Sequence, residues 1–191
     1  MKSPLLRSRT LPLVLSLATL ASSASAQQCW VAAGGSATVD EAEFANASQS
    51  GVGLAVKSTA PLPALVRARA SVTGIIFQAD PTADPQKKLH LALQYLDNGP
   101  GARVRAFLNE VTLGTAVYRE ILVFDSDAYP PSASYQTRQV SSPTCRRDNV
   151  LYVMTSLNYV NLELTKTTAD GAVGVRIMRV CQGYDCSAPP F

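Results

Sequence analysis

The sequence has few of the side chains and motifs that carry catalysis. Histidine occurs once, at His90, and tryptophan occurs once, at Trp30. The Gly-x-Ser-x-Gly nucleophile elbow, the phosphate-binding loop and the His-Glu-x-x-His zinc motif are all missing. His90 falls on a strand face with polar neighbours and no nucleophile beside it, so we interpret it as a surface residue. These absences favour a binding or structural role over an enzymatic one.

Long apolar runs are also scarce, and the one at the start is short. Lys2, Arg7 and Arg9 precede the apolar run 11–21, and small residues follow at 24–26. That order is typical of a secretory signal peptide cleaved before Gln27. The run is shorter than the about 20 residues that a membrane-spanning helix needs. We therefore predict a signal peptide at 1–26 and one secreted or periplasmic domain at 27–191, without a membrane span.

Net charge is small once the signal peptide is set aside. The chain has 17 Lys and Arg against 14 Asp and Glu, and the signal holds three of the basic residues and none of the acidic ones. Fourteen of each sign remain, so no global field attracts nucleic acid. Arg67/Arg69 and Arg103/Arg105 lie at strand spacing beside apolar residues, which indicates a solvated sheet face. No nucleic-acid partner is predicted.

Alternating apolar and polar residues are the main structural signal. The alternation has a period of two, and turn residues separate segments at intervals of about 8–12 residues, as in antiparallel sandwiches. No helical period competes with it. We predict an all-β, single-domain antiparallel β-sandwich of jelly-roll type, with a closed β-barrel as the alternative. The apolar members of the clearest rows are Val66, Ala68, Ala70 and Val72; Leu89, Leu91, Leu93 and Tyr95; Val104, Ala106 and Leu108; Val160, Leu162 and Leu164.

The strongest turn signal lies between two such rows near the C-terminal end. Asp170-Gly171 is a typical two-residue hairpin turn, with alternating residues before it at 158–166 and after it at 173–181. The sequence predicts that these segments form a hairpin in which Leu164 lies opposite Ile177 and Val160 opposite Cys181. Val173, Val175 and Ile177 would then share the buried face.

Four cysteines follow the cleavage site and predict a disulfide-stapled domain in an oxidising compartment. Cys29, Cys145, Cys181 and Cys186 allow three pairings. One pairing closes the short loop Cys181–Cys186 and joins Cys29 to Cys145. The other joins Cys145 to Cys181 and Cys29 to Cys186, and we favour it because Cys181 shares parity with the expected buried row. A zinc site is disfavoured because only one short Cys spacing is present.

The loop at 125–135 is the best candidate ligand site. Asp125 and Asp127 offer carboxylates at a spacing that a Ca²⁺ ion can use, although a calcium loop normally supplies more oxygens than two. Tyr129 and Tyr135 flank two prolines and are expected to present an aromatic face to a glycan or a protein partner. A rigid connection whose aspartates bond their own backbone is the simpler interpretation of the same residues.

These observations together favour an exported, non-catalytic binding or structural surface protein that recognises a glycan or a protein partner. The alternative is a secreted hydrolase of the glycoside type, in which two loop carboxylates converge. Sequence spacing does not decide whether any two carboxylates meet.

Overall fold

The computed structural model describes residues 28–73, 88–115, 117–142 and 156–183. Within these ranges the chain forms two antiparallel sheets that share one apolar core, and no strand closes them into a barrel. The prediction of an all-β sandwich is confirmed. The strands are β1 (Gln28–Ala33), β2 (Thr38–Val39), β3 (Ala47–Ser50), β4 (Gly53–Val56), β5 (Ala64–Ser71), β6 (Lys88–Asp97), β7 (Ala102–Thr112), β8 (Tyr118–Asp125), β9 (Ser132–Ser141), β10 (Ser156–Lys166) and β11 (Val173–Gly183).

The first sheet has the order β3-β4-β11-β6-β9, and β1 also pairs with β11. The second sheet has the order β2-β5-β10-β7-β8. Short 3₁₀ helices occupy Gly34–Ser36, Glu41–Asn46 and Ser126–Ala128. The second of these follows Asp40, whose carboxylate accepts a hydrogen bond from the Ala42 amide and so caps it. No helix among the described residues is long and apolar enough to cross a membrane.

The core is built from the alternating rows that the sequence predicts. Leu91 of β6, Val104 of β7 and Leu164 of β10 are all 0% exposed. Tyr95 of the first sheet meets Phe124 of the second sheet edge to face, with ring centroids 5.1 Å apart. Each strand contributes one face to this core because successive side chains point to opposite sides of a sheet.

The predicted hairpin is wrong. β10 pairs with β5 and β7 in the second sheet, whereas β11 pairs with β1, β4 and β6 in the first. Residues 167–172 therefore connect the two sheets and do not form a tight turn within one sheet. Both segments still direct an apolar row toward the core, so the alternation alone does not distinguish the two arrangements.

A register shift against β6 also changes the expected buried face of β11. The shift lies between Val175 and Ile177, and such a bulge moves every later side chain to the opposite face. Val173 and Val175 are buried as predicted, but Ile177 is 43% exposed. Met178 and Val180 take the core positions beyond the shift, and both are 0% exposed.

The disulfide joins Cys29 of β1 to Cys181 of β11. The two residues lie directly opposite each other in the β1–β11 ladder, with their Cα atoms 4.1 Å apart. The prediction of a disulfide-stapled fold is confirmed, but the favoured pairing of Cys181 with Cys145 is wrong, and so is a Cys181–Cys186 pair. Cys181 has the parity of exposed Ile177 and not of the core row, because it follows the bulge. Cys145 and Cys186 lie outside the described residues.

Candidate functional site

The outer face of the second sheet carries rows of side chains that continue from strand to strand. Arg67 of β5, Glu163 of β10, Arg105 of β7 and Asp125 of β8 occupy successive register positions. We call these four residues the charged row. The register shift in this sheet lies between Leu108 and Asn109, beyond the row, so the four side chains remain aligned. A regular antiparallel ladder places such opposite residues within interaction distance.

Alternating charge holds the row together. Oε1 of Glu163 lies 3.7 Å from Nε of Arg67, and Oε2 of Glu163 lies 3.4 Å from Nη1 of Arg105. Nε of Arg105 in turn lies 3.7 Å from Oδ2 of Asp125. Glu43, from the 3₁₀ helix at Glu41–Asn46, adds a second acid 2.8 Å from Nη1 of Arg67. Both oxygens of Glu163 therefore face arginine nitrogens.

The neighbouring register row is polar and aromatic. It consists of Arg69 on β5, Asn161 on β10 and Phe107 on β7. Nε of Arg69 donates a hydrogen bond of 3.0 Å to Oδ1 of Asn161. The guanidinium carbon of Arg69 lies 5.0 Å from the ring centroid of Tyr159, and that of Arg105 lies 4.7 Å from the ring centroid of Phe107. Stacking and hydrogen bonds thus fix the direction of these long side chains.

An open groove of about 710 Å³ runs over these rows. All five strands of the second sheet contribute to it, so the groove crosses the strands. Tyr118 and Glu120 come from edge strand β8, and Thr38 comes from edge strand β2. Tyr118 is 58% exposed. The polar, charged and aromatic side chains of its lining include Asp40, Arg67, Arg69, Phe107, Tyr118 and Asn161.

Asp125 and Asp127, the carboxylates predicted as a ligand site, both pair with Arg103. Nε of Arg103 donates to Oδ1 of Asp125 at 3.0 Å, and it lies 3.0 Å from Oδ2 of Asp127. A further short contact joins Nη2 of Arg103 to Oδ2 of Asp125. The hydrogen bond from Arg103 lowers the pKa of Asp125 below its usual value. Among the described residues, no group of three or more His, Cys, Asp or Glu side chains could hold a metal ion.

Tyr129 and Tyr135, the predicted aromatic pair, have different surroundings. The Tyr129 ring stacks on Phe124 with centroids 5.6 Å apart, and its hydroxyl donates to the Gln139 carbonyl at 3.3 Å. Tyr135 lies on edge strand β9 under the guanidinium of Arg176, 4.0 Å from its ring centroid. Asp125 and Asp127 thus share one arginine, Tyr129 packs against the core, and Tyr135 belongs to the first sheet.

The spacing of Arg67 with Arg69 and of Arg103 with Arg105 predicts an outward sheet face, and Arg67 and Arg69 line the groove. Spacing within one strand does not identify the neighbouring strands, so the sequence does not predict the groove. His90, the single histidine, lies on β6 with Nδ1 2.7 Å from the Ser141 hydroxyl and 3.0 Å from the Gln139 amide nitrogen. It belongs to the first sheet, away from the groove.

No protein-family model and no curated protein sequence matches the chain. Among solved structures, the family 11 carbohydrate-binding module from Clostridium thermocellum, in complex with a β-1,3-1,4-mixed-linked tetrasaccharide, has 13% identity and a TM-score of 0.36. That match covers 81% of this chain and 87% of the module. TmCBM61 in complex with β-1,4-galactotriose has 8% identity and a TM-score of 0.37, over 84% and 90% of the two chains.

The enzymatically active domain of bacteriophage CBA120 tailspike protein 4 has 11% identity and a TM-score of 0.40. The match covers 81% of this chain but only 19% of the tailspike chain. Identities and TM-scores at this level assign neither a family nor a ligand to this chain.

Proposed function

We propose that the protein is an exported, non-catalytic binding protein whose groove on the second sheet holds a saccharide chain. The observation that carries this proposal is the composition of the groove. Aromatic carbon at half-buried Phe107 and exposed Tyr118 lies beside polar groups at Asp40, Arg69 and Asn161 within one open depression. Ligand sites combine apolar and aromatic area with a few placed polar groups in this way.

Sugar rings match both components of that lining. One face of a pyranose presents C–H groups that pack on an aromatic ring, while its edge presents hydroxyls that donate and accept hydrogen bonds. Phe107 and Tyr118 offer the first kind of contact. Asn161 and Asp40 offer amide and carboxylate groups for the second. The groove extends over all five strands of the sheet, which suits a chain longer than one sugar.

The groove is organised before any ligand arrives. Arg67 is held by Glu43 and Glu163, and Arg69 is held by Asn161 and Tyr159. Side chains that are already ordered lose little rotamer freedom on binding, which favours affinity. The rigid sheet beneath them supports recognition without a large rearrangement.

A glycoside hydrolase is less well supported by the same geometry. Hydrolysis needs one carboxylic acid that donates a proton and a second carboxylate about 5–9.5 Å away. Both oxygens of Glu163 face arginines, and the pKa of Asp125 is lowered and not raised. These contacts favour fixed ion pairs over proton transfer.

Export is supported by the Cys29–Cys181 disulfide, because such bonds persist in oxidising compartments. The signal peptide predicted at 1–26 agrees with that location. Both the signal peptide and the single domain at 27–191 belong to this proposal.

The test is binding of the mature protein to a panel of neutral and acidic oligosaccharides, measured by glycan array and then by calorimetry. We expect Phe107→Ala to weaken binding of the best ligand by about 10-fold or more, since one buried aromatic contact is worth roughly 1–3 kcal/mol. Phe44→Ala is the matched control, because Phe44 is 61% exposed and does not line the groove.

Two results would contradict the proposal. Absence of binding to every glycan on the array would remove the proposed ligand class. Equal affinity for wild type and Phe107→Ala, with both variants folded by circular dichroism, would move the site away from the groove. Release of new reducing ends from a bound glycan would instead support the hydrolase alternative.

A further inference from the structure

The two arginines that line the groove differ in what neutralises them. Arg67 lies 2.8 Å from Glu43 and 3.7 Å from Glu163, so two carboxylates compensate its charge. Arg69 forms no ion pair with any acid of the described residues. Its register neighbours are Asn161 on β10 and Thr38 on β2, and both are uncharged.

Arg69 is nevertheless held in place. Nε donates to Oδ1 of Asn161 at 3.0 Å, and the guanidinium lies over the Tyr159 ring at 5.0 Å. These two contacts use one donor and one face of the guanidinium. Its two terminal nitrogens retain their donors, because a guanidinium carries five N–H groups in a fixed fork. The result is an oriented cation on an exposed sheet face whose fork pairs with none of the described residues.

The acids that line the groove leave this position uncompensated. Asp40 accepts a hydrogen bond from the Ala42 amide, and Glu163 belongs to the charged row, two register positions away from Arg69. Glu120 lies on β8, at the opposite edge of the sheet from β5. Thr38 and Ser71, which flank Arg69 in the groove lining, add exposed hydroxyl donors.

We infer that the groove selects a saccharide bearing an anionic group, a carboxylate or a sulfate ester, and that the group binds the fork of Arg69. This inference rests on the proposed function and adds the charge of the ligand to it. Planar guanidinium forks bind carboxylate and sulfate oxygens bidentately, which gives geometric selection as well as attraction. In the charged row, each arginine is paired with a carboxylate of the same row. The row therefore orders the side chains on this face and does not provide a site for an anion.

The experiment uses the mature protein and probes that differ only in charge. One pair is trigalacturonate and its methyl ester, and the other is a sulfated galactan oligosaccharide and its desulfated form, which is neutral. We expect the charged member of at least one pair to bind about 10-fold or more tightly than its partner, because hydrogen bonds to charged groups contribute about 1.5–3 kcal/mol. The pair that discriminates identifies the anion as a carboxylate or a sulfate.

Arg69→Gln tests the residue. We expect it to remove the preference for the charged probe, so that the charged and neutral members of the pair bind with affinities within about 2-fold of each other. Arg69→Lys should recover only part of the preference, because an ammonium has no planar fork. Arg138→Gln is the matched control, since Arg138 also lies over a tyrosine, Tyr129, outside the groove.

The outcomes separate this inference from the proposed function. Equal binding of both members of each pair would overturn the anion inference and leave glycan binding intact. A preference for the charged probe that survives Arg69→Gln would overturn the role of Arg69. Failure of every glycan to bind would defeat the proposed function itself.

Discussion

The two sheets share one core, yet their outer faces are organised differently. In the second sheet, the β5–β10 and β10–β7 ladders stay in register, and the charged row lies on the part of the β7–β8 ladder before its shift between Leu108 and Asn109. In the first sheet, β11 shifts against β6 between Val175 and Ile177, and β6 shifts against β9 between Tyr95 and Asp97. Its outer face carries separate local contacts, such as Tyr135 with Arg176 and the Cys29–Cys181 disulfide.

The difference shows what a broad surface site needs from a sheet. An uninterrupted register repeats the same spacing over several strands, so charges and rings from distant parts of the sequence form continuous rows. A bulge ends such a row because it turns later side chains to the other face. The first sheet uses its bulge to redirect β11, whereas the second sheet keeps a regular area under the charged row and the Arg69 row.

The largest expected effect tests the bulge in the first sheet. Met178→Ala should lower the free energy of unfolding by about 2–5 kcal/mol, because it removes a fully buried side chain. Ile177→Ala should cost less than about 1 kcal/mol, since Ile177 is 43% exposed. Urea unfolding of both variants measures the difference. A larger loss for Ile177→Ala would place the two side chains on faces opposite to those in the structure.

The second-largest expected effect comes from the disulfide, which joins two strands of the first sheet. Replacing Cys29 and Cys181 together with serine should lower the free energy of unfolding by about 2–4 kcal/mol, because the bond closes a long loop of the unfolded chain. Hydrogen exchange should show the greatest loss of protection in β1, with the centre of the second sheet least affected. A uniform loss over both sheets would show that β1 is not a separately stabilised element.

Charge in the second sheet should contribute less to stability. Glu163→Gln removes the acid between Arg67 and Arg105, and we expect a loss of about 1 kcal/mol or less, since the pairs are partly exposed. The loss should shrink at about 1 M salt, where screening is strong. Glu120→Gln is the control, because Glu120 forms no ion pair among the described residues. A loss that does not depend on salt would argue against an electrostatic role for the row.

The smallest expected effect is on the dependence of stability on pH in the acid range. The hydrogen bond from Arg103 lowers the pKa of Asp125 in the folded state below its usual 3.8, so folding favours the ionised carboxylate. This contribution is present above pH 3.8 and is lost as the pH falls through the lower folded pKa. Arg103→Gln should therefore flatten the fall in stability on acidification, measured by urea unfolding between about pH 6 and pH 2. An unchanged slope would contradict the coupling of Asp125 to Arg103.

The fold class and the buried faces were predictable because they depend on local alternation. Val66, Leu91, Val104 and Val160 all face the core, as their spacing of two indicates. Strand partners were not predictable in the same way. The Asp170-Gly171 turn signal is local, whereas the partner of β10 is set by competition among distant strands, and a crossing between sheets preserves the same parity.

The sequence predicts the outward arginines of the groove but not their partners on neighbouring strands. Paired arginines at strand spacing mark an outward face, but Glu163 meets Arg67 only through the β5–β10 ladder. Asp125 and Asp127 were visible as a pair, yet their common partner, Arg103, lies on the neighbouring strand β7. A site assembled across strands depends on which strands pair and in which register, and the spacing of residues within one strand predicts neither.

Strand order also has a consequence for the time course of folding. The last two strands that the structure describes, β10 and β11, are the central strands of the two sheets. Only β3–β4 and β7–β8 join consecutive strands among the described elements. A nascent chain that has not reached residue 156 therefore lacks the middle of both layers, and such non-local topologies fold slowly, in about milliseconds to seconds. Both sheets therefore gain their central strands last, after all of their other described strands have been made.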